Sequence, residues 1–123
     1  MKRLLVLGAG TAGTMAVNKL RPKLPEDEWN ITVVEPRDTH YYQPGYLFIP
    51  FGTYTPDEVV KPTKKFIPAG VDMISGEVDK VVADENKVLL TDGRELRYDY
   101  LIIASGTTPR PDQTPGMAED EWH

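Results

Sequence analysis

The sequence contains no cysteine among its 123 residues. Disulfide bonds, thiolate metal sites and cysteine-based redox chemistry are therefore excluded for this polypeptide by itself. It also contains only two histidines, His40 within a loop and His123 at the end, and neither has a carboxylate at ligand spacing. We predict no metal site, assign neither histidine a role and identify no catalytic residue.

A strong charge of one sign and long apolar runs are also missing. The formal net charge is −5 and the charged residues are mixed, so we expect no nucleic-acid partner. No apolar run approaches the roughly 20 residues of a membrane-spanning helix. The first residues resemble a signal peptide, but their apolar run stops at Gly8, which indicates a strand and a cytoplasmic protein. The length fits one domain.

A short apolar run, residues 4–7, leads directly into Gly8, Gly10 and Gly13. Such a run is typical of a parallel strand buried on both faces. In a dinucleotide-binding turn the first glycine makes the tight turn and the second lets the backbone approach a pyrophosphate. The third allows close packing of helix on strand, and each role excludes a Cβ. The pattern predicts a strand followed by a phosphate-binding turn.

A helix over residues 11–20 is predicted to follow this turn. Its apolar face at helical spacing consists of Ala12, Ala16, Val17 and Leu20. The free N–H groups at its start, including those of Thr11 and Ala12, are expected to face the phosphates.

Glu35 ends the β-branched run 31–35 and lies 22 positions after Gly13 (35 − 13). This spacing is close to the roughly 20 residues expected for a carboxylate that hydrogen-bonds a ribose. An isolated acid at a strand end is more often an ordinary surface charge. Together with the three glycines, however, Glu35 is predicted to bind a ribose.

Residues 35–66 lose periodicity and are rich in aromatic residues, glycine and proline. They predict a long loop with short helical turns, and a loop of this size is usually functional or wrongly assigned. The aromatic side chains either form a satellite core beneath the loop or line a ligand site, and both can hold at once.

Strand patterns return over residues 71–98, which we predict to form a small antiparallel meander with a hairpin at Asp92-Gly93. A second apolar run, residues 100–104, ends in Ser105 and Gly106. It is either a sheet strand that brings backbone to a ligand or a plain strand-to-loop exit. One clear helix cannot cover two strands buried on both faces, so we expect the isolated chain to self-associate.

Together these residues resemble the two-dinucleotide-binding-domain flavoproteins, which include glutathione-reductase-like enzymes and type II NADH dehydrogenases. The first signature is the glycine turn with Glu35. The second is an apolar strand after Tyr98-Asp99 that ends in Ala104-Ser105-Gly106, with Ser105 in place of the usual threonine. Within this group, residues 40–46 and 105–111 look most like sulfide:quinone oxidoreductases. The resemblance spans nearly all of residues 1–123 and implies an α/β, Rossmann-like FAD-binding domain that is incomplete, with a parallel sheet and a small antiparallel meander.

The resemblance also implies a set of contacts with FAD. The pyrophosphate would lie at the glycine turn and the adenosine ribose at Glu35. The other residues implied to approach the cofactor are Pro36 and Arg37 beside the ribose, Val78 at the adenine, Pro44 near the flavin ring, and Ala104, Ser105 and Gly106 over the linker.

In that family, sulfide is oxidised by a cysteine pair beside the flavin, and electrons pass to quinone at the membrane. The family's chains are much longer and dock on the membrane through a C-terminal region, so we expect an amino-terminal piece or a truncated product that is inert towards sulfide. Two alternatives remain: the FAD segment of a type II NADH dehydrogenase or ferredoxin reductase, and a non-catalytic nucleotide-binding module. Cysteines beyond His123 would mark a sulfide enzyme.

Overall fold

The computed structural model of the chain describes residues 1–118, so His123 lies outside the described residues. The α-helix is α1 (Thr11–Leu20). The strands are β1 (Lys2–Leu7), β2 (Trp29–Glu35), β3 (Thr39–Tyr41), β4 (Val60–Pro62), β5 (Val71–Ser75), β6 (Val78–Val82), β7 (Lys87–Leu90), β8 (Glu95–Arg97) and β9 (Tyr100–Ile103). Short 3-10 helices connect several of them, including Gln43–Phe48, Pro56–Val59 and Thr63–Phe66.

A four-stranded parallel sheet with the order β5-β2-β1-β9 organises the molecule. Strand β1 is central, and its apolar residues from Leu4 to Leu7 are all buried. This confirms the α/β fold with a parallel sheet and the burial of the first strand on both faces. The helix predicted over residues 11–20 is confirmed as α1.

The two faces of the sheet are covered by different elements. Leu4 and Val6 of β1 pack with Val17 of α1 in one buried cluster. Leu5 and Leu7, which point to the opposite face, pack with residues of β7 in a second cluster. The expectation that one helix leaves β1 uncovered is therefore wrong, because the antiparallel strands provide the second layer.

Strand β9 differs from β1 because it forms an edge of the sheet. Ile103 is 63% exposed and Tyr100 is 53% exposed. The expectation that residues 101–104 are buried on both faces is therefore wrong, because β9 is an edge strand of the sheet and Ile103 lies exposed there.

The antiparallel meander is shorter than predicted. Residues 71–75 form β5, which pairs parallel with β2, so the meander of β6, β7 and β8 begins at Val78. A partly buried strand of five residues has the same local pattern in either sheet, and only its pairing partner decides between them. The hairpin at Asp92-Gly93 joins β7 to β8 as predicted, with Gly93 at φ +91°.

The long loop is partly ordered by regular structure. Strands β3 and β4 pair antiparallel and close the aromatic loop, which we define as residues 42–59. The amide of Tyr42 donates to the carbonyl of Val59 at 2.8 Å, so the loop returns to its starting point. The prediction of short helical turns is right, but the prediction of an otherwise irregular loop misses this ribbon, because each strand has only three residues.

Candidate functional site

The carboxyl ends of the four parallel strands meet at one edge of the sheet. The amide of Gly8 donates to the Val34 carbonyl at 2.8 Å, and the amide of Ala104 donates to the Leu7 carbonyl at 2.8 Å. The chain leaves β1 towards β2 on one side, whereas β9 returns on the other. In open α/β sheets, ligands bind outside the carboxyl ends where the strand order reverses in this way.

The three glycines of the turn meet different steric conditions. Gly8 has φ +100°, and a Cβ there would overlap the carbonyl of Ala104. A Cβ on Gly13 would overlap the carbonyl of Gly8. Among the described residues, by contrast, no heavy atom beyond Gly10 and its two chain neighbours lies within 4 Å of the position that a Cβ on Gly10 would take. Folding therefore requires glycine at the first and third positions, whereas only an external ligand would require it at the second.

The start of α1 is open to a ligand. Gly10 is the N-cap residue and no side chain caps the helix. The first N–H groups of a helix have no intrahelical acceptor and carry the positive end of the helix dipole. Gly10, Thr11 and Ala12 are exposed, so their backbone is accessible to an anion. The exposure of Ala12 corrects its placement on the apolar face of the helix, where Gly13 and Val17 are the buried residues.

Glu35 is half-buried and is held by the backbone. Its Oε2 accepts a hydrogen bond from the amide of Ala9 at 2.7 Å, and its Oε1 accepts one from the amide of Arg37 at 3.1 Å. Glu35 therefore lies beside the glycine turn and differs from an ordinary solvated charge at a strand end. A carboxylate has about four acceptor positions, so two remain for ribose hydroxyls.

His40 is the residue of this site that sequence reasoning missed. Its Nδ1 lies 3.1 Å from the carbonyl oxygen of Ala9, and its ring packs on Phe66 with centroids 5.1 Å apart. The hydroxyl of Thr14 donates to the same carbonyl at 2.9 Å. No spacing rule would have found His40, because it contacts a residue 31 positions earlier in the chain.

A groove of about 440 Å³ lies next to Glu35. Its lining residues are Pro36, Arg37, Asp38, Thr39, Tyr41 and Ser75. Pro36 and Arg37 thus line the groove beside the carboxylate. Val78 is half-buried and packs against the second core cluster, three residues after Ser75.

The remaining implied contacts divide into two groups. Ala104 lies directly against Gly8, and Ser105 and Gly106 continue from it as exposed backbone, with Gly106 at φ +70°. Pro44 is exposed in the 3-10 helix Gln43–Phe48, four residues beyond His40. The structure therefore brings residues 104–106 to the strand-end edge, whereas Pro44 belongs to the aromatic loop.

The described part of the chain, residues 1–118, lacks two other kinds of feature. No group of three or more histidines and acids is placed to hold a metal ion in this part of the chain. No helix in the same range is long and apolar enough to cross a membrane.

Residues 2–123 match the model of the pyridine nucleotide-disulphide oxidoreductase family. The chain is 31% identical over 118 residues to the mitochondrial sulfide:quinone oxidoreductase of Dictyostelium discoideum, which covers 96% of this chain and 26% of that protein. It is 34% identical over 106 residues to the type II NADH:quinone oxidoreductase of Staphylococcus haemolyticus, covering 85% of this chain and 26% of that protein.

A solved structure of similar fold is the sulfide:quinone oxidoreductase of the hyperthermophilic bacterium Aquifex aeolicus. It superposes with a TM-score of 0.74 at 25% identity, over 88% of this chain and 25% of that chain. The chain thus spans about a quarter of the length of the proteins that it matches.

Proposed function

This chain belongs to the pyridine nucleotide-disulphide oxidoreductase family, and from that premise we propose that it binds FAD at the glycine turn. The family consists of flavin-dependent oxidoreductases. The observation that carries the proposal is the position of the uncapped start of α1 beside the backbone-held carboxylate of Glu35. The first feature suits a diphosphate and the second suits a ribose, and an adenine dinucleotide contains both.

The residues present fit such a cofactor. A side chain on Gly10 would fill space that is free in this structure, which is the space that a pyrophosphate would need. The amides of Gly10, Thr11 and Ala12 would donate to the phosphates, and Glu35 would accept from the ribose hydroxyls. Bound FAD would supply the two-electron chemistry of the enzyme, while these residues bind and orient it.

The implied outer contacts belong to the same proposal. The groove beside Glu35, with Pro36 and Arg37, would take the adenosine, and the main chain of Val78 would approach the adenine. Residues 104–106 would cover the linker, because Ala104 already lies against Gly8. Pro44 would approach the flavin ring from the aromatic loop.

For the reaction of the whole enzyme, we favour transfer of electrons from sulfide through FAD to quinone. The supporting likeness is to sulfide:quinone oxidoreductases, over 96% of this chain in the Dictyostelium relative and 88% in the Aquifex structure. The sulfide step requires a thiolate, and the 123 residues contain no cysteine, so residues outside this chain would have to supply it. We further propose a cytoplasmic location, with peripheral membrane contact through other parts of a full-length enzyme.

The alternative is the FAD-binding part of a type II NADH:quinone oxidoreductase. The 34% identity to the Staphylococcus protein favours it, and the features described above serve both enzymes equally. The two differ in the electron donor, so reduction of a flavin-loaded full-length enzyme by sulfide or by NADH distinguishes them.

Titration of the purified chain with FAD, followed by flavin fluorescence, tests the proposal directly. We expect saturable binding of FAD that ADP competes away. Gly10→Ser should lower the affinity for FAD by about tenfold to a hundredfold, which is equivalent to the loss of a hydrogen bond to a charged group. It should leave the free energy of unfolding unchanged or higher, because serine is a good N-cap residue and the site has room.

Ala83→Ser, an added hydroxyl in the turn between β6 and β7, is the matched control and should bind FAD as the wild type does. Absence of FAD binding by the wild-type chain would contradict the proposal. Equal binding by Gly10→Ser would remove the glycine turn from the site.

A further inference from the structure

The side chain of His40 acts on the backbone of the glycine turn. Its Nδ1 lies 3.1 Å from the carbonyl oxygen of Ala9, the residue between Gly8 and Gly10. A carbonyl oxygen only accepts hydrogen bonds, so Nδ1 carries the hydrogen and neutral His40 is the Nδ1–H tautomer.

The carbonyl of Ala9 and the amide of Gly10 belong to the same planar peptide unit. In a trans peptide the C=O and N–H bonds point in opposite directions, so holding one of them fixes the other. A donor that binds the Ala9 oxygen from inside the protein therefore orients the Gly10 N–H in the opposite direction, away from that donor. This N–H belongs to the uncapped start of α1, where an anion would bind.

Within residues 1–118, three side chains form hydrogen bonds with the backbone of Ala9. Glu35 accepts from its amide at 2.7 Å, while Thr14 and His40 donate to its carbonyl at 2.9 and 3.1 Å. Thr14 is part of α1 and moves with the helix. Glu35 links the turn to β2, and His40 is the only one of these three that links it to the β3–β4 ribbon.

The ring of His40 is itself held in place. It packs against Phe66 at 5.1 Å between centroids, and the backbone of His40 pairs with Lys61 across the ribbon. The carbonyl of Phe66 accepts a hydrogen bond from the side-chain amide of Asn18 in α1 at 2.7 Å. The donor to Ala9 is thus supported by contacts that lead back to the same helix.

We propose that His40 is a positioning residue for the cofactor turn. Through Nδ1–H it fixes the Ala9–Gly10 peptide so that the Gly10 amide faces the diphosphate, and it links this turn to the aromatic loop. The inference rests on the proposed function, because a positioned amide has an effect on affinity only if an anionic cofactor binds there.

Two variants distinguish the role of the Nδ1–H donor from the role of the packed ring. His40→Phe keeps an aromatic ring against Phe66 but has no donor, whereas His40→Asn places an amide N–H near the position of Nδ1 and loses most of the ring. If the hydrogen bond matters, FAD affinity falls about threefold to tenfold in His40→Phe and stays within about twofold of wild type in His40→Asn. Circular dichroism and thermal unfolding report whether each variant folds.

A second measurement needs no variant and no ligand. Long-range ¹H–¹⁵N spectra of the imidazole in the wild-type chain should show His40 as the Nδ1–H tautomer at a pH where it is neutral. The Nε2–H tautomer would overturn the inference, even if the variants failed to fold.

The binding results also separate the two proposals. If wild type binds FAD and His40→Phe binds equally well, the positioning role is wrong while the proposed function stands. If both variants lose affinity to the same extent, the ring rather than the donor matters, and the positioning role is again wrong. If wild type binds no FAD, the proposed function fails and the positioning role fails with it.

Discussion

At the scale of single residues, Glu35 shows how one side chain serves both the fold and a candidate ligand. Its two oxygens accept hydrogen bonds from the amides of Ala9 and Arg37, which places a negative charge beside the glycine turn. The ribose role remains a prediction, and the structure adds that a substitution by a residue without an acceptor also releases two backbone donors.

Glu35→Ala should weaken FAD binding by about 1.5–3 kcal/mol, the range for a lost hydrogen bond to a charged group. Glu35→Gln should lose less, because its amide oxygen can still accept from Ala9. The wild type should bind NADP far more weakly than NAD, since a carboxylate repels a 2′-phosphate. Isothermal titration of the three proteins with FAD, NAD and NADP measures these differences.

Unchanged FAD affinity in Glu35→Ala would remove Glu35 from the site. An equal affinity of the wild type for NAD and NADP would show that no ribose lies against the carboxylate. Unfolding curves of each variant distinguish lost binding from lost stability.

At the scale of elements, an ion pair joins β1 to the residue that precedes β9, next to the parallel pairing of the two strands. Asp99 accepts hydrogen bonds from the guanidinium of Arg3 at 3.1 Å and from its amide at 2.7 Å. These residues are 96 positions apart, so the pair joins two segments that are distant in the sequence. The guanidinium lowers the pKa of the Asp99 carboxyl, mainly through the side-chain hydrogen bond.

Because the pKa of Asp99 is lower in the folded state, its contribution to stability is present above the unfolded value of about 3.9. It is lost as the pH falls through the lower, folded value. Asp99→Asn should therefore reduce the free energy of unfolding at neutral pH, and the difference from wild type should shrink in acid. Urea unfolding at neutral pH and at several acidic pH values measures this difference.

Asp92→Asn is the matched control for this prediction. The pKa of Asp92 is also lowered, by Arg94, but this pair spans only two residues within the hairpin turn. Its removal should cost less, because both partners lie in the same turn and Arg94 keeps its hydrogen bond to the carbonyl of Ser75 in β5. The prediction would be contradicted if the difference in the free energy of unfolding between Asp99→Asn and wild type did not change with pH.

At the scale of the whole molecule, apolar surface is concentrated at the aromatic loop and the β9 edge. Leu47 is 74% exposed and Phe51 is 84% exposed in the loop. Ile103 is 63% exposed at the open edge of the parallel sheet. Both faces of β1 are covered, so the surface available for association differs from the one expected from sequence.

We expect the isolated chain to self-associate at micromolar concentration, because large exposed apolar patches and open strand edges favour association. Replacing Leu47 and Phe51 together by serine should raise the dissociation constant by about tenfold or more, which is roughly 1.4 kcal/mol. Sedimentation velocity over a concentration series measures this change.

Met117→Ser is the control, because Met117 is 62% exposed but lies outside the loop and the edge strand. A wild-type chain that stays a monodisperse monomer would contradict the prediction of association. An unchanged dissociation constant in the double variant would exclude the aromatic loop as its cause.

The sequence by itself determined the elements that depend on local pattern. Apolar periodicity and turn residues depend on neighbours in the sequence, and they predict three elements. These are the strand at residues 4–7, the helix over residues 11–20 and the Asp92-Gly93 hairpin. The glycine spacing likewise predicts which backbone approaches a ligand, and this stays a prediction.

Only the tertiary structure decided which strands pair and which side chains reach the turn. Residues 71–75 joined the parallel sheet, residues 100–103 became its edge, and His40 reached Ala9. The physical reason is that these outcomes rest on contacts between residues far apart in the chain. Such contacts form only once the sheet has brought the segments together. They produce no periodic pattern in the sequence, so sequence patterns do not predict them.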